Sequence, residues 1–301
     1  MQKYNLNYLD KLEAESIHII REFAAEFKKP VMLYSLGKDS SVILHLAKKA
    51  FWPGKIPFPL LHIDTGFKFR EMIEFRDWIY KNENIDLIVA KNESPEAKSF
   101  SAKDAHTEEY IYHKKTKPLI DALKKYNFDA ALGGARRDEE KSRAKERIFS
   151  HRNMKNIWDP KNQRPELWNL YNTRLKEGES MRVFPISNWT EFDVWEYIKR
   201  ENIKIVSLYF AQKRKLLKRN GIFVRVDEFN QPEEGEEIFE RMSRYRTLGC
   251  SPSTGAIISN AITIDDIIKE VLEAKRSERE TRAIDGGAGG SMEDKKKEGY
   301  F

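Results

Sequence analysis

Ser35-Leu36-Gly37-Lys38-Asp39-Ser40-Ser41 follows the apolar run Val31 to Tyr34 and opens the helical pattern Val42 to Ala50. A strand, a tight turn and a helix start in that order expose backbone N–H groups with no partner inside the helix, and the helix dipole favours an anion there. Lys38 adds a mobile positive charge; Ser40 and Ser41 add hydroxyl donors. The loop therefore reads as a phosphate cradle. Its spacing is not G-x-x-x-x-G-K-[ST], because one glycine precedes the lysine and the loop is shorter. An ordinary strand-to-helix turn with a chance lysine is the competing reading.

Working outward, Leu9, Leu12, Ile17, Ile20, Phe23 and Phe27 recur at helical spacing, which predicts an amphipathic helix over 8–28, ended by Pro30. Short apolar runs at Val31 to Tyr34, Leu60 to Ile63, Leu87 to Ala90 and Ala130 to Leu132 alternate with helical patterns at about 39–50, 68–82 and 116–126. Such alternation predicts an α/β fold, a doubly wound parallel sheet with helices on both faces. Ligands of these sheets sit beyond the carboxyl ends of the strands, where each candidate motif falls. Residues 150–189 lose the periodicity and read as irregular. A helix resumes at Thr190, a plausible N-cap with Asp193 three residues on. The last helix is expected from Asp265 to Arg276. Gly286-Gly287-Ala288-Gly289-Gly290 and a basic tail ending in Tyr300-Phe301 follow.

The chain has 301 residues, a net charge of +6 and a single cysteine, Cys250. One cysteine excludes an internal disulfide and a four-cysteine metal site. No run is long enough to span a membrane and no apolar leader is present, so a cytoplasmic location is expected. Basic residues cluster at Arg136 to Lys155 and at Lys213 to Arg219; the second cluster reads as a solvated helix face. Neither alternates with exposed aromatics, so no nucleic-acid platform is expected.

Three further constellations carry chemistry. Asp64, Thr65 and Gly66 end the second strand, within reach of a ribose, an amine or a phosphate-bound metal. His62 reads as a packed residue rather than a base. Gly133 and Gly134 end the fourth strand and let a ligand lie against the backbone, while Arg136 and Arg137 offer forks that match tetrahedral oxyanions. Arginines at a helix start oppose the dipole, which favours an anion-binding role for them. Arg244 to Gly255 repeats arginines, hydroxyls and glycines; Cys250 within it reads as a buried thiol.

The first loop resembles the PP-loop of the adenine nucleotide α-hydrolase-like superfamily, with Leu36 where a glycine is usual. With His62 to Gly66, Gly133 to Arg137, Asn188 to Thr190 and Arg244 to Thr254, the whole chain resembles the small, catalytic subunit of the heterodimeric bacterial sulfate adenylyltransferase, a relative of phosphoadenylyl sulfate reductase. The discriminating match is Pro59-Leu60-Leu61-His62-Ile63-Asp64-Thr65-Gly66-Phe67-Lys68-Phe69-Arg70-Glu71. The resemblance implies a five-stranded parallel sheet in a PP-loop ATP-binding domain over 1–200. It also implies a mostly helical or irregular extension over 201–301 that completes the site and contacts a partner.

The implied reaction is ATP plus sulfate giving adenylyl sulfate and pyrophosphate, the opening step of sulfate assimilation. GTP hydrolysis on a larger subunit would drive it. ATP would be held by Ser35, Gly37, Lys38, Asp39, Ser40, Ser41, Asp64, Thr65, Gly133 and Gly134, with Lys38, Arg136 and Arg137 catalytic. Sulfate would sit among Arg136, Arg137, Arg244 and Arg246, and Mg²⁺ would be held mainly by phosphates and water, with no carboxylate ligand assigned. The rival enzymes are a phosphoadenylyl sulfate reductase, whose C-terminal catalytic cysteine motif is missing, and a PP-loop pyrophosphatase acting on tRNA. A non-catalytic nucleotide-binding module is the rival of another class.

Overall fold

The computed structural model describes residues 6–219 and 221–274. Its main sheet has the order β3-β2-β1-β4-β6-β5, from β1 (Pro30–Leu33), β2 (Leu60–Ile63), β3 (Leu87–Ala90), β4 (Ala130–Leu132), β5 (Phe149–Arg152) and β6 (Ser180–Val183). β3, β2, β1, β4 and β6 run parallel, as expected. A sixth strand, β5, adds antiparallel to β6 at the edge.

Alternation along each strand explains the two helical layers. Met32, Leu60, Ala130, Leu132, Met181 and Val183 point into one core with α1 (Tyr8–Glu26), α2 (Lys38–Phe51), α3 (Arg70–Asn82) and the later residues Val194, Trp195 and Ile198. Their neighbours Val31, Leu61 and Ala131 point to the other face, against Leu119, Ala122 and Leu123. Those last three lie on α6 (Lys117–Lys125), which follows the short α4 (Pro95–Ser99) and α5 (Glu108–Ile111). α7 (Lys141–Ala144) precedes β5. α8 (Glu191–Glu201) starts where the sequence predicted, Thr190 and Asp193 forming a reciprocal capping box.

The segment 150–189 is not irregular throughout, since it holds most of β5 and all of β6. Buried charge hid both strands: Arg152, Arg182 and Glu146 are each at most 3% exposed, and Arg152 pairs with Glu146. A guanidinium inside a four-residue strand breaks the apolar run by which strands are recognised.

The C-terminal extension also differs from the mostly helical or irregular expectation. Among its described residues it holds a four-stranded antiparallel sheet, β10-β9-β7-β8, from β7 (Gln212–Arg219), β8 (Ile222–Arg225), β9 (Phe239–Arg244) and β10 (Ile257–Ile258), followed by α9 (Ile264–Glu273). The Lys213 to Arg219 run is thus a strand, not a helix face. Leu216 and Leu217 are buried, Lys213 pairs across to Glu240 at 2.9 Å, and Arg214 is buried over the Tyr245 ring. The glycine run Gly286 to Gly290 and the basic tail lie outside the described residues. No described helix is long and apolar enough to cross a membrane.

Candidate active site

Strand order reverses between β1 and β4, and the crevice beyond their carboxyl ends is the binding position of such sheets. A cavity of about 260 Å³ opens there. Ser35, Gly37, Asp39 and Ser40 from the β1 loop line it, with Gly133 and Gly134 from the β4 loop and Thr65 from the β2 loop. Seven of the ten expected ATP-binding residues are therefore brought to one cavity.

The β1 loop is shaped by Leu36, whose φ is +66° while its side chain is 1% exposed. A left-handed turn at a branched residue costs roughly 1–2 kcal/mol. Burying a leucine returns roughly 1.5–3 kcal/mol, so a leucine stands where a glycine would be easier. Gly37 caps α2 without a side-chain bond. The first helical N–H, that of Lys38, donates to the Tyr209 hydroxyl at 2.8 Å. Ser40 donates to the Gly37 carbonyl at 2.9 Å. Ser41 is buried and does not line the cavity.

A charged seam runs beneath this loop. Arg136, fully buried, donates Nε to Asp39 Oδ1 at 2.8 Å, and Lys38 Nζ stands 3.1 Å from Asp39 Oδ2. Burial pushes the Asp39 carboxyl up, but Lys38 and Arg136 outweigh it and hold the group below its ordinary range. Arg246 donates to Glu191 at 2.6 Å. Glu191 is likewise held low, burial being overcome by Lys38 and Arg246. Glu139 accepts from the Arg136 N–H at 2.9 Å and pairs with Arg143 at 3.0 Å. Gly134 closes the seam: a Cβ there would stand 3.1 Å from the Asp39 Cβ.

Lys38 and the four arginines expected at sulfate do not line the cavity. Lys38 and Arg136 are buried in the seam, and Arg246 joins it through Glu191. Arg137 donates to Asn188 at 2.6 Å, and Arg244 is held by Glu270 at 2.8 Å. Asp64 accepts from the Gly66 N–H at 2.8 Å and also lies outside the lining.

The structure adds Lys68, Lys115, Arg143, Tyr209 and Thr247 to Cys250 as lining residues. Lys68 stands in the discriminating β2 stretch. Lys115 and Tyr209 had no local signal, because only tertiary contact brings them in. From the Arg244 to Gly255 segment, it is Thr247 to Cys250 that reaches the cavity. Cys250 is 1% exposed, with Sγ 3.1 Å from Thr65 Oγ1 and 3.6 Å from the Tyr110 hydroxyl. Burial pushes this thiol up, but Lys115 and Lys68 with the two hydroxyls bring it down to about 7. His62 is packed as expected, Nδ1 standing 2.8 Å from the Tyr34 carbonyl oxygen; burial brings it down to about 4.

An anion cradle at the first helix of a doubly wound sheet, facing a glycine pair across the strand reversal, defines a nucleotide-binding α/β protein of the PP-loop class. The profile of the phosphoadenosine phosphosulfate reductase domain matches residues 29–256. Sulfate adenylyltransferase subunit 2 of Psychromonas ingrahamii is 58% identical over 302 residues, covering 100% of both chains. Its counterpart in Saccharophagus degradans is 57% identical with the same coverage. The FMN adenylyltransferase of Candida glabrata shares the fold, with a TM-score of 0.51 at 14% identity over 93% of this chain and 91% of that one. The chain belongs to the phosphoadenosine phosphosulfate reductase domain family and, within it, to the sulfate adenylyltransferase subunit 2 group.

Proposed function

We propose that this chain is the catalytic subunit of a sulfate adenylyltransferase, moving the adenylyl group of ATP to sulfate and releasing pyrophosphate. The observation that carries the reading is the Asp39–Arg136 pair, which locks the anion-binding loop to the glycine pair across the strand reversal. The names of the full-length relatives supply the acceptor.

In this reading the β and γ phosphates lie on the Ser35 to Ser41 loop. The nucleoside borders Gly133, Gly134 and Thr65, with Leu33, Ile63 and Leu119 as apolar lining for the base. Sulfate is a dianion at neutral pH, so its oxygen attacks the α-phosphorus without a general base as the bond to pyrophosphate breaks. The barrier is the approach of two anions, and fixed positive charge lowers it. Lys38, Arg136 and Arg246, held by Asp39 and Glu191, put fixed cations behind the phosphates.

Mg²⁺ arrives with ATP. Asp39 and Glu139, the carboxylates on the cavity, are each already ion-paired. Among the described residues no three His, Cys, Asp or Glu side chains cluster as metal ligands. Phosphates and water therefore supply most of the ion's shell.

Residues 1–200 form the ATP-binding unit in this proposal and 201–301 complete the site, a division supported by Tyr209 and Thr247 to Cys250 on the cavity wall. The relatives' name, subunit 2, supports a heteromeric partner, which in this proposal is a larger, cytoplasmic GTPase subunit, and the chain carries no G-x-x-x-x-G-K-[ST] with which to supply that GTPase itself. The test is incubation with ATP, Mg²⁺, sulfate and pyrophosphatase, with and without that subunit and GTP, followed by chromatography for adenylyl sulfate. Sulfate-dependent product that rises with partner and GTP is expected. Absence of product with an authentic partner overturns the reading.

A further inference from the structure

In the proposed function Lys68, Lys115 and the Thr247 side chain, all on the cavity wall, hold neither the nucleoside nor the pyrophosphate. Strand order sets β2 and β4 on opposite sides of β1, so the loops beyond them stand about 10 Å apart, two strand spacings. The β1 and β4 side carries both lining carboxylates, Asp39 and Glu139, and its lining cation Arg143 is matched by Glu139 at 3.0 Å and Glu140 at 3.3 Å. The β2 side carries Lys68 and Lys115, with Thr65 and Thr247 to Cys250 around them, and among the described residues no carboxylate lines the cavity there. Asp64 behind this wall is turned to the Gly66 N–H.

A second observation is independent of the lysines. Thr247 lines the cavity, and its Oγ1 is buried with no hydrogen-bond partner among the described residues. Buried hydroxyls are almost always bonded, so an unbonded one on a residue that lines a cavity points to a ligand. Lys115 and Lys68 are also the charges that, against its burial, bring the Cys250 thiol beside them down to about 7.

In-line displacement requires the incoming oxygen to approach the α-phosphorus opposite the bond to pyrophosphate. With pyrophosphate on the β1 loop, the acceptor must lie away from the α2 N-terminus, against another wall. We propose that Lys68, Lys115 and Thr247 form the subsite for the attacking tetrahedral oxyanion, in place of the four arginines expected from the sequence. The reaction itself rests on the proposed function. Two ammonium groups and one hydroxyl match a dianion with several acceptor oxygens and no proton to give.

Lys68→Met, Lys115→Met and Thr247→Val test the subsite in the complex with the partner and GTP. Each is expected to raise KM for sulfate tenfold or more with KM for ATP within twofold, and Lys→Arg to recover part of the loss. A parallel rise in KM for ATP would assign the lysines to the triphosphate and overturn the proposal, as would an unchanged KM for sulfate. Cys250, the single cysteine, supplies a readout that needs no turnover. Sulfate is expected to slow its modification by methyl methanethiosulfonate, and Lys115→Met to move the pH profile of that modification upward. A rate indifferent to sulfate overturns the subsite. Sulfate protection without adenylyl sulfate formation instead overturns the proposed reaction and leaves the subsite standing.

Discussion

Arg136 Nε meets Asp39 Oδ1 at 2.8 Å, joining residues 97 positions apart across the reversal of the sheet. Arg136 is fully buried, and Asp39 shares its second oxygen with Lys38. The pair ties the first turn of α2 to the segment that follows β4, and so links the two loops that bound the cavity.

Removing one partner of a buried pair strands the other, which costs about 3–5 kcal/mol. Arg136→Met is expected to destabilise by that order. Arg136→Lys should recover little, because an ammonium lacks the fork. Urea unfolding of the variants and of the Asp39→Asn double mutant measures the coupling; additive losses would mean the pair is not one unit.

In the proposed reaction Lys38 acts on the phosphates through its charge. By comparison with other positioned donors, Lys38→Ala should cost roughly 3 kcal/mol of transition-state stabilisation, seen as a fall of about a hundredfold in kcat/KM. Near-normal turnover would remove Lys38 from the reaction.

Gly134 leaves no room for a methyl group, since a Cβ would meet the Asp39 Cβ at 3.1 Å. Gly134→Ala is expected to shift the β4 loop by a few tenths of an ångström and raise KM for ATP severalfold, with stability changed by about 1 kcal/mol. ATP titration and thermal unfolding together separate the two effects. An unchanged KM would show that the loop accommodates the methyl.

His62 makes stability depend on pH. Its ordinary value is 6.5 and its folded value about 4, so below 6.5 the unfolded chain takes up a proton that the folded chain refuses. Stability is complete above about 7 and is lost as pH falls toward 4, by roughly 2–3 kcal/mol. Asp39, held low in the fold, contributes its own loss only further down, below its ordinary 3.8. Urea midpoints at pH 7.5 and 4.5 should converge in His62→Gln; an equal drop in wild type and variant would exclude His62 as the cause.

Leu36 combines a φ of +66° with a side chain 1% exposed. Leu36→Ala keeps the strain and loses the burial, whereas Leu36→Gly loses slightly more burial and releases the strain. Both should destabilise, Gly by no more than Ala. At an ordinary φ, glycine would be worse by about 1 kcal/mol, so a clear deficit for Leu36→Gly would show that the turn stores no strain.

The readings that held rest on local physics. β2, β3 and β4 were legible to the residue because runs of three or four apolar side chains between helical periods have one economical burial, inside a parallel sheet. Thr190 and Asp193 announced α8 because a capping box needs only four consecutive residues. The anion loop was legible for the same reason, being one strand end and one helix start.

What the amino-acid sequence determined by itself was therefore the alternating fold, the cradle at Ser35 to Ser41 and the glycine pair opposite it. Tertiary structure alone decided which cations face the cavity. It turned Arg136 and Arg246 onto Asp39 and Glu191, fixed Arg244 on Glu270, and brought Lys68, Lys115 and Thr247 to the wall instead. It also decided that the basic run at Lys213 is a strand and that Arg152 and Arg182 sit inside a sheet. A charged side chain carries the same letter whether it serves a ligand, a carboxylate or a sheet edge. Its role is set by the nearest opposite charge and by its burial, and both are properties of residues far apart in the chain.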